Sequence, residues 1–322
     1  MANNKLDLSK YNRFHIYTCN IIAWKELHQH QISNPSTELR RCLKLLLKSA
    51  ALSESKAETC IKPSDTVGLC LCNRSSQQPG TLNGMNRSDL KITVKLFLQE
   101  WNADLVRCGV EYILKVLDTD HIESLIVAFP PSEYASDVQL DDDVTGDDVE
   151  NDAISADEAE HDDNEDDFIQ NDDNDDNQDE YPSAEQIQQI WQSIEAVIDD
   201  GKVVTGGVAD LNITQLRALH SSARIKPSIN HYNIAACCTV PPELQEFAKT
   251  NNIQLLTHND PAQFLAPETV FQLLHDELGL VESEARQWKS KMVLRVAVMA
   301  KQRAVITTKA YAVCLAKHGD GD

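Results

Sequence analysis

The chain has 322 residues, with 29 Lys and Arg against 51 Asp and Glu, a formal net charge of −22 and a hydrophobic fraction of 42%. This length and hydrophobic fraction suffice for one large domain or two ordinary ones. The negative charge argues against a nucleic-acid binder, because such a protein needs a cationic face to displace counterions from phosphates.

The expected compartment is the cytoplasm. The first thirty residues show no basic start followed by an apolar run, so no secretory signal is predicted. The most apolar helical pattern is far shorter than the roughly 20 residues that a membrane span requires, so no membrane partner is expected. The 9 cysteines follow no zinc-site spacing, and an odd number of thiols is typical of a reducing compartment.

The negative charge is concentrated in one segment. Residues 137–180 contain 22 acidic residues and no Lys or Arg, and the remainder carries 29 acidic and 29 basic residues. A segment with so few apolar side chains cannot offset its ordering entropy by burial. We therefore predict a disordered acidic insertion over 137–181, which separates an N-terminal part, 1–136, from a C-terminal part, 182–322.

Before the insertion, the pattern alternates between helix and strand. Asn34 and Pro35 are typical of a helix start, and leucines then recur at three- and four-residue spacing. A strand is predicted over 90–94, a helix over about 102–117 and an apolar strand over 124–129. A strand, a helix and a nearly continuous apolar strand together indicate a buried parallel sheet.

After the insertion, Ser183 and Gln186 form an S-x-x-Q capping box that begins a helix ending at Gly201. Strands are then predicted near positions 203, 228 and 253, with helices at about 213–221 and 242–250. This 25-residue interval fits one strand and one crossover helix. No Gly-rich phosphate loop begins any helix, so the pattern favours an α/β (β/α)8 TIM barrel over an open nucleotide-binding sheet.

The carboxyl end is predicted to be helical. Apolar residues recur at helical spacing from Pro267 to Leu278, and again at Trp288, Met292, Val296 and Met299. Only a short final strand is expected, over 304–306.

Four of these segments resemble, in order, strands of the aldo-keto reductase family. Residues 87–96 resemble that family's third strand, 124–130 its fourth, 206–211 its fifth and 226–234 its sixth. Residues 233–244 and 253–261 more closely resemble the family of glutamate-cysteine ligase regulatory (modifier) subunits. The resemblance implies an aldo-keto reductase barrel, with the acidic insertion after the family's fourth strand.

The same resemblance implies that the reductase site is incomplete. Lys95 stands at the family's lysine position, as a relict of that site, but Ala128 stands at the histidine position. No tyrosine occurs between Tyr17 and Tyr112, where the family's proton donor would lie. The nicotinamide contacts also differ, with Ala209-Asp210, His231 and His258 at positions that bind the ring in active members. No catalytic, cofactor-binding or metal-binding residue is therefore expected, although weak NADPH binding stays open.

The resemblance implies a non-catalytic regulatory subunit that forms a heterodimer with the glutamate-cysteine ligase catalytic subunit. Such a subunit improves the use of glutamate and relieves feedback inhibition by glutathione, in the first step of glutathione biosynthesis. Adjacent Cys237 and Cys238 are candidates for a redox or interface contact with the partner, and two idle thiols are the alternative. An NADPH-dependent aldo-keto reductase acting on a small carbonyl is the alternative function, and a plain acidic scaffold is a third.

Overall fold

In the computed structural model, the described residues are 8, 11–28, 32, 34–52, 62–63, 69–72, 85–130, 182–234 and 239–317. The chain divides into two compact units, Met1–Pro131 with Pro182–Asp322, and Ser132–Tyr181. The second unit lies outside the described residues, as do Cys237 and Cys238. The disorder of the acidic insertion and the boundaries 1–136, 137–181 and 182–322 therefore stay predictions.

Ten described strands form one mixed sheet in the order β2-β3-β1-β10-β9-β4-β5-β6-β7-β8. Strands β4 to β8 are parallel neighbours, whereas β9 and β10 form a long antiparallel hairpin between β1 and β4. The strands are β1 Arg13–Tyr17, β2 Lys62–Pro63, β3 Leu69–Cys72, β4 Leu90–Leu98, β5 Ile122–Ala128, β6 Val203–Ala209, β7 Ile229–Asn233, β8 Gln254–His258, β9 Trp288–Ala300 and β10 Val305–Lys317.

Eight α-helices are described, together with short 3-10 helices at Ile21–Ala23 and Arg87–Asp89 and a π-helical turn at Leu273–Glu277. None of the described helices combines the length and apolar composition that a bilayer crossing requires. The helices are α1 Lys25–His28, α2 Pro35–Leu52, α3 Asp104–Leu117, α4 Ala184–Asp199, α5 Ile213–Ser222, α6 Pro242–Thr250, α7 Pro267–Gln272 and α8 Glu282–Ala285.

The predicted βα units are confirmed. Strands β6, β7 and β8 begin close to the predicted positions, and α5 and α6 lie between them. The predicted capping box is present, since the Gln186 N–H donates to the Ser183 hydroxyl at 3.2 Å and the Ser183 N–H donates to the Gln186 side chain at 3.0 Å. Local sequence signals therefore determined these boundaries.

The helix predicted over 288–299 is wrong, because these residues form the strand β9. A four-residue spacing of apolar side chains fits one face of a helix, but it also fits one face of a strand, where every second residue is equivalent. The structure buries Leu294, Val296 and Val298 on one face, at a spacing of two. The β-branched valines favour this strand. The predicted helical carboxyl end is thus limited to the region from Pro267 to Ala285.

Helices cover both faces of the sheet. One core joins helices α3 to α6 to side chains such as Val94, Leu96 and Val296. The second core joins α2, α7 and α8 to the opposite face, which carries Phe97 and Val293. Successive strand residues point to opposite faces, so nearly continuous apolar strands are needed between the two helix layers.

The sheet is strongly curved. Strands β8 and β9 are five interstrand spacings apart, which is about 24 Å in a flat sheet. Yet Arg295 of β9 is hydrogen-bonded to Asp260, whose own N–H donates to His258 of β8 at 3.0 Å. The face that carries Phe97 is therefore concave. The predicted α/β class is confirmed. The antiparallel hairpin of β9 and β10 was not part of the predicted (β/α)8 pattern.

Candidate functional site

Lys95 lies in the middle of β4 and is 3% exposed. Its side chain is on the same concave face as Phe97, two residues further along the strand, and its ammonium lies 5.1 Å from the centre of that ring. The ammonium donates a hydrogen bond to the Asp260 carboxylate at 2.7 Å. The resemblance thus led to a residue that is buried and already paired.

Asp260 follows β8 and is the centre of a buried ionic cluster. It accepts hydrogen bonds from Lys95 and from both terminal nitrogens of Arg295, with Nη2 to Oδ2 at 2.9 Å. Burial alone would raise the pKa of Asp260, but hydrogen bonds from His258 and Arg295 outweigh burial and hold this pKa well below its usual range. We call Lys95, Asp260 and Arg295 the ionic triad.

The imidazole of His258 connects the triad to the carboxyl ends of β6 and β7. In the neutral ring, Nδ1 accepts the Asp260 N–H, and Nε2 carries the proton, which it donates to Asp210 at 2.9 Å and to the His231 carbonyl at 3.2 Å. In the protonated ring, Nδ1 also carries a proton and faces the Asp260 carboxylate at 3.2 Å. Burial lowers the pKa of His258, but hydrogen bonds to Asp210 and Asp260 outweigh burial, so the pKa is raised.

Asp210 holds three strand ends together at this site. Its N–H donates to the His231 carbonyl at 3.0 Å, and its Oδ1 accepts from the Asn233 N–H at 2.8 Å and from His258. Asp210 has a φ of 62°, a left-handed conformation that aspartate tolerates better than most residues other than glycine. The carboxylate that replaces the family's amide contact is therefore already engaged within the chain.

On the concave face, neither Ala128 nor Tyr311 offers the cluster an unpaired proton donor. Ala128 supplies only a methyl group on the concave face. Tyr311 also lies on this face, but its hydroxyl donates to Glu38 at 2.6 Å. Burial and the nearby Glu38 carboxylate raise the pKa of Tyr311, so its phenol holds its proton tightly. Within the described ranges, no group of three or more His, Cys, Asp or Glu side chains is arranged to hold a metal ion.

Sequence analysis found Lys95 but missed Asp260 and Arg295. Asp260 lies three residues after the strand predicted near position 253, at the end of the sheet where functional side chains collect, so its position was a usable signal. Arg295 is the single charged residue in the run 292–300. Because this run was predicted to be helical, nothing indicated that Arg295 would point into the concave face. The candidates Cys237 and Cys238 lie outside the described residues and stay untested.

Acidification should destabilise the protein through His231. Burial, with a smaller contribution from Lys95, lowers the pKa of His231 from 6.5 to about 4. The unfolded chain therefore binds more protons than the folded chain, so stability is complete above pH 6.5 and falls as the pH drops towards 4, by up to about 1.4 kcal/mol per pH unit.

This slope can be measured by urea unfolding between pH 6.5 and pH 5. His231→Gln should reduce it, whereas His275→Gln, at an exposed position paired with Asp276, should leave it unchanged. His15, whose pKa burial also lowers to about 4, contributes to the remaining slope in the same direction, whereas the raised pKa of His258 contributes in the opposite direction. An unchanged slope in His231→Gln would contradict this assignment.

Comparison with known proteins confirms both resemblances found in the sequence. The sequence profile of the Aldo/keto reductase family matches residues 71–262. The glutamate-cysteine ligase regulatory subunit of Mus musculus is 27% identical over 313 residues, covering 97% of this chain and 96% of that protein. The regulatory subunit of Homo sapiens is 26% identical with the same coverage. Among solved structures, an aldo/keto reductase from Brucella melitensis is 14% identical, with 63% of this chain and 59% of that chain covered and a TM-score of 0.35.

Proposed function

The chain belongs to the aldo/keto reductase family, and from this premise we propose that it is a non-catalytic, cytoplasmic regulatory subunit of glutamate-cysteine ligase. The observation that carries the proposal is that Lys95, the lysine expected of a reductase, is buried against Asp260 with no phenol hydrogen-bonded to it among the described residues. The match to regulatory subunits along almost the whole of both chains supports the same conclusion.

The surroundings of Lys95 argue against reduction of a carbonyl. A reductase lysine acts by lowering the pKa of a tyrosine that protonates the substrate oxygen. Here burial lowers the pKa of Lys95 itself, and its described hydrogen bond goes to Asp260. An ammonium held in this way has no phenol to activate among the described residues. The concave face is therefore better suited to structural stability than to proton transfer.

The residues at the nicotinamide positions do not fit that ring. The Asp210 carboxylate accepts from Asn233 and His258, and His231 Nε2 lies 2.9 Å from the Thr257 carbonyl. As the resemblance implies, active members bind the nicotinamide at these positions. We therefore propose no cofactor, and we derive no step through NADPH.

As a regulatory subunit, the chain would form a heterodimer with the catalytic subunit, which makes γ-glutamylcysteine from glutamate, cysteine and ATP in glutathione biosynthesis. It would act by binding one conformation of the catalytic subunit more tightly than another. Such coupling is typically about 1–3 kcal/mol, or roughly 5- to 150-fold in ligand affinity. No active site in this chain is needed for this effect.

The test is reconstitution with the purified catalytic subunit. We expect a stable complex whose apparent affinity for glutamate is several-fold higher, and whose inhibition by glutathione is weaker, than in the catalytic subunit alone. Initial rates at varied glutamate, with and without this chain, measure both effects. Unchanged kinetics in the presence of a saturating amount of this chain would refute the proposal.

A reductase of small carbonyl compounds is the second candidate, favoured by the retention of Lys95. It predicts that NADPH fluorescence changes on titration with the chain and that an aldehyde is reduced at an enzymic rate. We expect neither result, because no tyrosine occurs between Tyr17 and Tyr112 and the Asp210 carboxylate is bonded to Asn233 and His258.

Removal of residues 137–181 distinguishes the regulatory function from that of an acidic scaffold. The regulatory function predicts that the heterodimer and its effect on glutamate affinity survive the deletion, because both would depend on the folded unit. A scaffold that binds through its negative charge would lose its partner. Size-exclusion chromatography and glutamate titration of the deletion variant with the catalytic subunit provide the measurement, and a lost complex would favour the scaffold.

A further inference from the structure

The tip of the β9–β10 hairpin exposes two consecutive apolar residues. Val305 is 53% exposed and Ile306 is 52% exposed. Successive strand residues point to opposite faces of the sheet, so exposure of both means that the hairpin tip extends beyond the helix layers on either side. Further along β10, residues on both faces are buried, as at Tyr311 and Ala312. The tip is thus a projection of an otherwise covered sheet.

This projection is held in place by hydrogen bonds. The Lys301 N–H donates to the Asp89 carbonyl at 2.8 Å, and its ammonium donates to the Ser88 carbonyl at 2.9 Å. The turn includes Ala304 with a φ of 51°, a conformation that a residue with a side chain adopts only when the surroundings impose it. The exposed residues therefore lie on a rigid support, which lowers the entropy cost of binding a partner.

A third exposed apolar side chain lies on an element anchored to the same strand. Ile22, in the 3-10 helix Ile21–Ala23, is 40% exposed. The Asn20 amide donates to the Thr307 carbonyl at 3.0 Å and accepts from the Lys309 N–H at 3.2 Å. These bonds fix this short helix against β10, close to the hairpin tip. We call Ile22, Val305 and Ile306 the tip patch.

The border of the tip patch is mainly cationic. Lys25, Lys301 and Arg303 are exposed, and Glu26, beside Lys25 in α1, is an exposed acidic neighbour. The Lys301 ammonium also lies 3.6 Å from the carboxylate of Glu123. Arg303 forms no ion pair within the described part of the chain. A local excess of positive charge on a chain with a net charge of −22 selects a partner with an acidic border.

Charge also disfavours two other binding partners for the tip patch, a second copy of the chain and an anionic membrane. A second copy of the chain, docked tip to tip, would bring like charges together around the patch. An anionic membrane would attract the tip but repel the rest of a strongly acidic chain. An apolar groove with an acidic border on another protein matches both the patch and its surroundings.

We propose that the tip patch is a docking surface for the glutamate-cysteine ligase catalytic subunit, and that it enters an apolar groove with an acidic border there. The inference rests on the proposed function, since it names the surface through which that function would be exerted. Val305 and Ile306 provide the apolar contact, while Lys301 and Arg303 orient the approach and raise the association rate.

Substitutions at the tip test this surface. Val305→Asp and Ile306→Asp should each weaken binding of the catalytic subunit by at least about tenfold, because an apolar contact at the centre of an interface is replaced by an unpaired charge. Arg303→Glu should mainly slow association and reduce its dependence on salt. Binding is measured by surface plasmon resonance, with the thermal unfolding midpoint as a check of folding.

Two matched controls are available elsewhere on the surface. Val204 is 57% exposed and Val281 is 64% exposed, so Val204→Asp and Val281→Asp add the same charge away from the patch and should change the Kd less than about twofold. The double variant Val305→Thr/Ile306→Thr keeps β-branched side chains and should still weaken binding if an aspartate variant fails to fold.

The outcomes separate this inference from the proposed function. If the wild-type chain binds the catalytic subunit and the tip variants bind equally well, the docking surface is wrong and the function stands. If the wild-type chain does not bind at all, the function itself fails. Self-association that the tip variants abolish, or wild-type binding to anionic phosphatidylserine vesicles, would overturn the choice of partner.

Discussion

Replacing Asp260 with asparagine should lower the free energy of unfolding by about 3–5 kcal/mol, because it removes the only carboxylate of the ionic triad. Lys95 and the carboxylate are almost completely buried, with side chains 4% and 2% exposed. Arg295 is 20% exposed and would lose both of its bonds to Asp260. Asparagine preserves the size of the side chain but leaves the Lys95 and Arg295 cations without the Asp260 carboxylate. The decrease in the free energy of unfolding therefore reports the lost charge interaction and not a change in packing.

The measurement is urea unfolding at pH 7, with Asp276→Asn as the matched control. Asp276 is 63% exposed and pairs only with His275 among the described residues, so its loss should cost less than about 0.5 kcal/mol. Lys95→Met should cost less than Asp260→Asn, since Asp260 would keep Arg295. The double variant Lys95→Met/Asp260→Asn should recover part of the loss. A loss below about 1 kcal/mol in Asp260→Asn would show that the triad is not a major source of stability.

Gly207→Ala should destabilise the protein by about 2–3 kcal/mol through overpacking between two strands. Gly207 of β6 lies directly opposite Ile229 of β7. A Cβ at this position would lie 2.6 Å from the Ile229 Cβ and 2.9 Å from its carbonyl oxygen. Neither atom is the end of a flexible side chain, so the strands must separate or the register must shift.

Gly109→Ala is the control for the same change in size. A Cβ there would first meet the tip of the Leu294 side chain at 3.1 Å, which can move, and Gly109 is within helix α3, where alanine is favoured by about 1 kcal/mol. Its net effect should therefore stay within about 1 kcal/mol. Thermal unfolding of both variants compares them directly, and equal stability would show that the β6–β7 contact can relax.

The curvature of the sheet explains why the ionic triad contributes both to the stability of the fold and to the candidate functional site. Asp260 connects the carboxyl end of β8 to β4 and β9, which are distant in the order of the sheet. Through Asp260, Lys95 joins opposite sides of the concave face. The Asp260→Asn experiment thus also tests how far the ionic triad maintains the curvature.

Sequence alone identified the parts of the fold that depend on local interactions. The capping box of α4, the bounds of α6 and the regular succession of β6, β7 and β8 follow from hydrogen bonds and periodicities within a few residues. It also identified Lys95, although through a family resemblance and not through any local pattern. The predicted acidic insertion and the pair Cys237–Cys238 lie outside the described residues.

Tertiary structure decided the strand identity of residues 288–300 and the partners of Lys95. A four-residue apolar spacing satisfies a helix and a strand equally, and only pairing with β4 and β10 distinguishes them. Asp260 and Arg295 lie 165 and 200 positions from Lys95, and no local preference brings such distant charges together. Their contact arises because burying apolar surface on both faces bends the sheet, and the charges enclosed on its concave side must then neutralise one another.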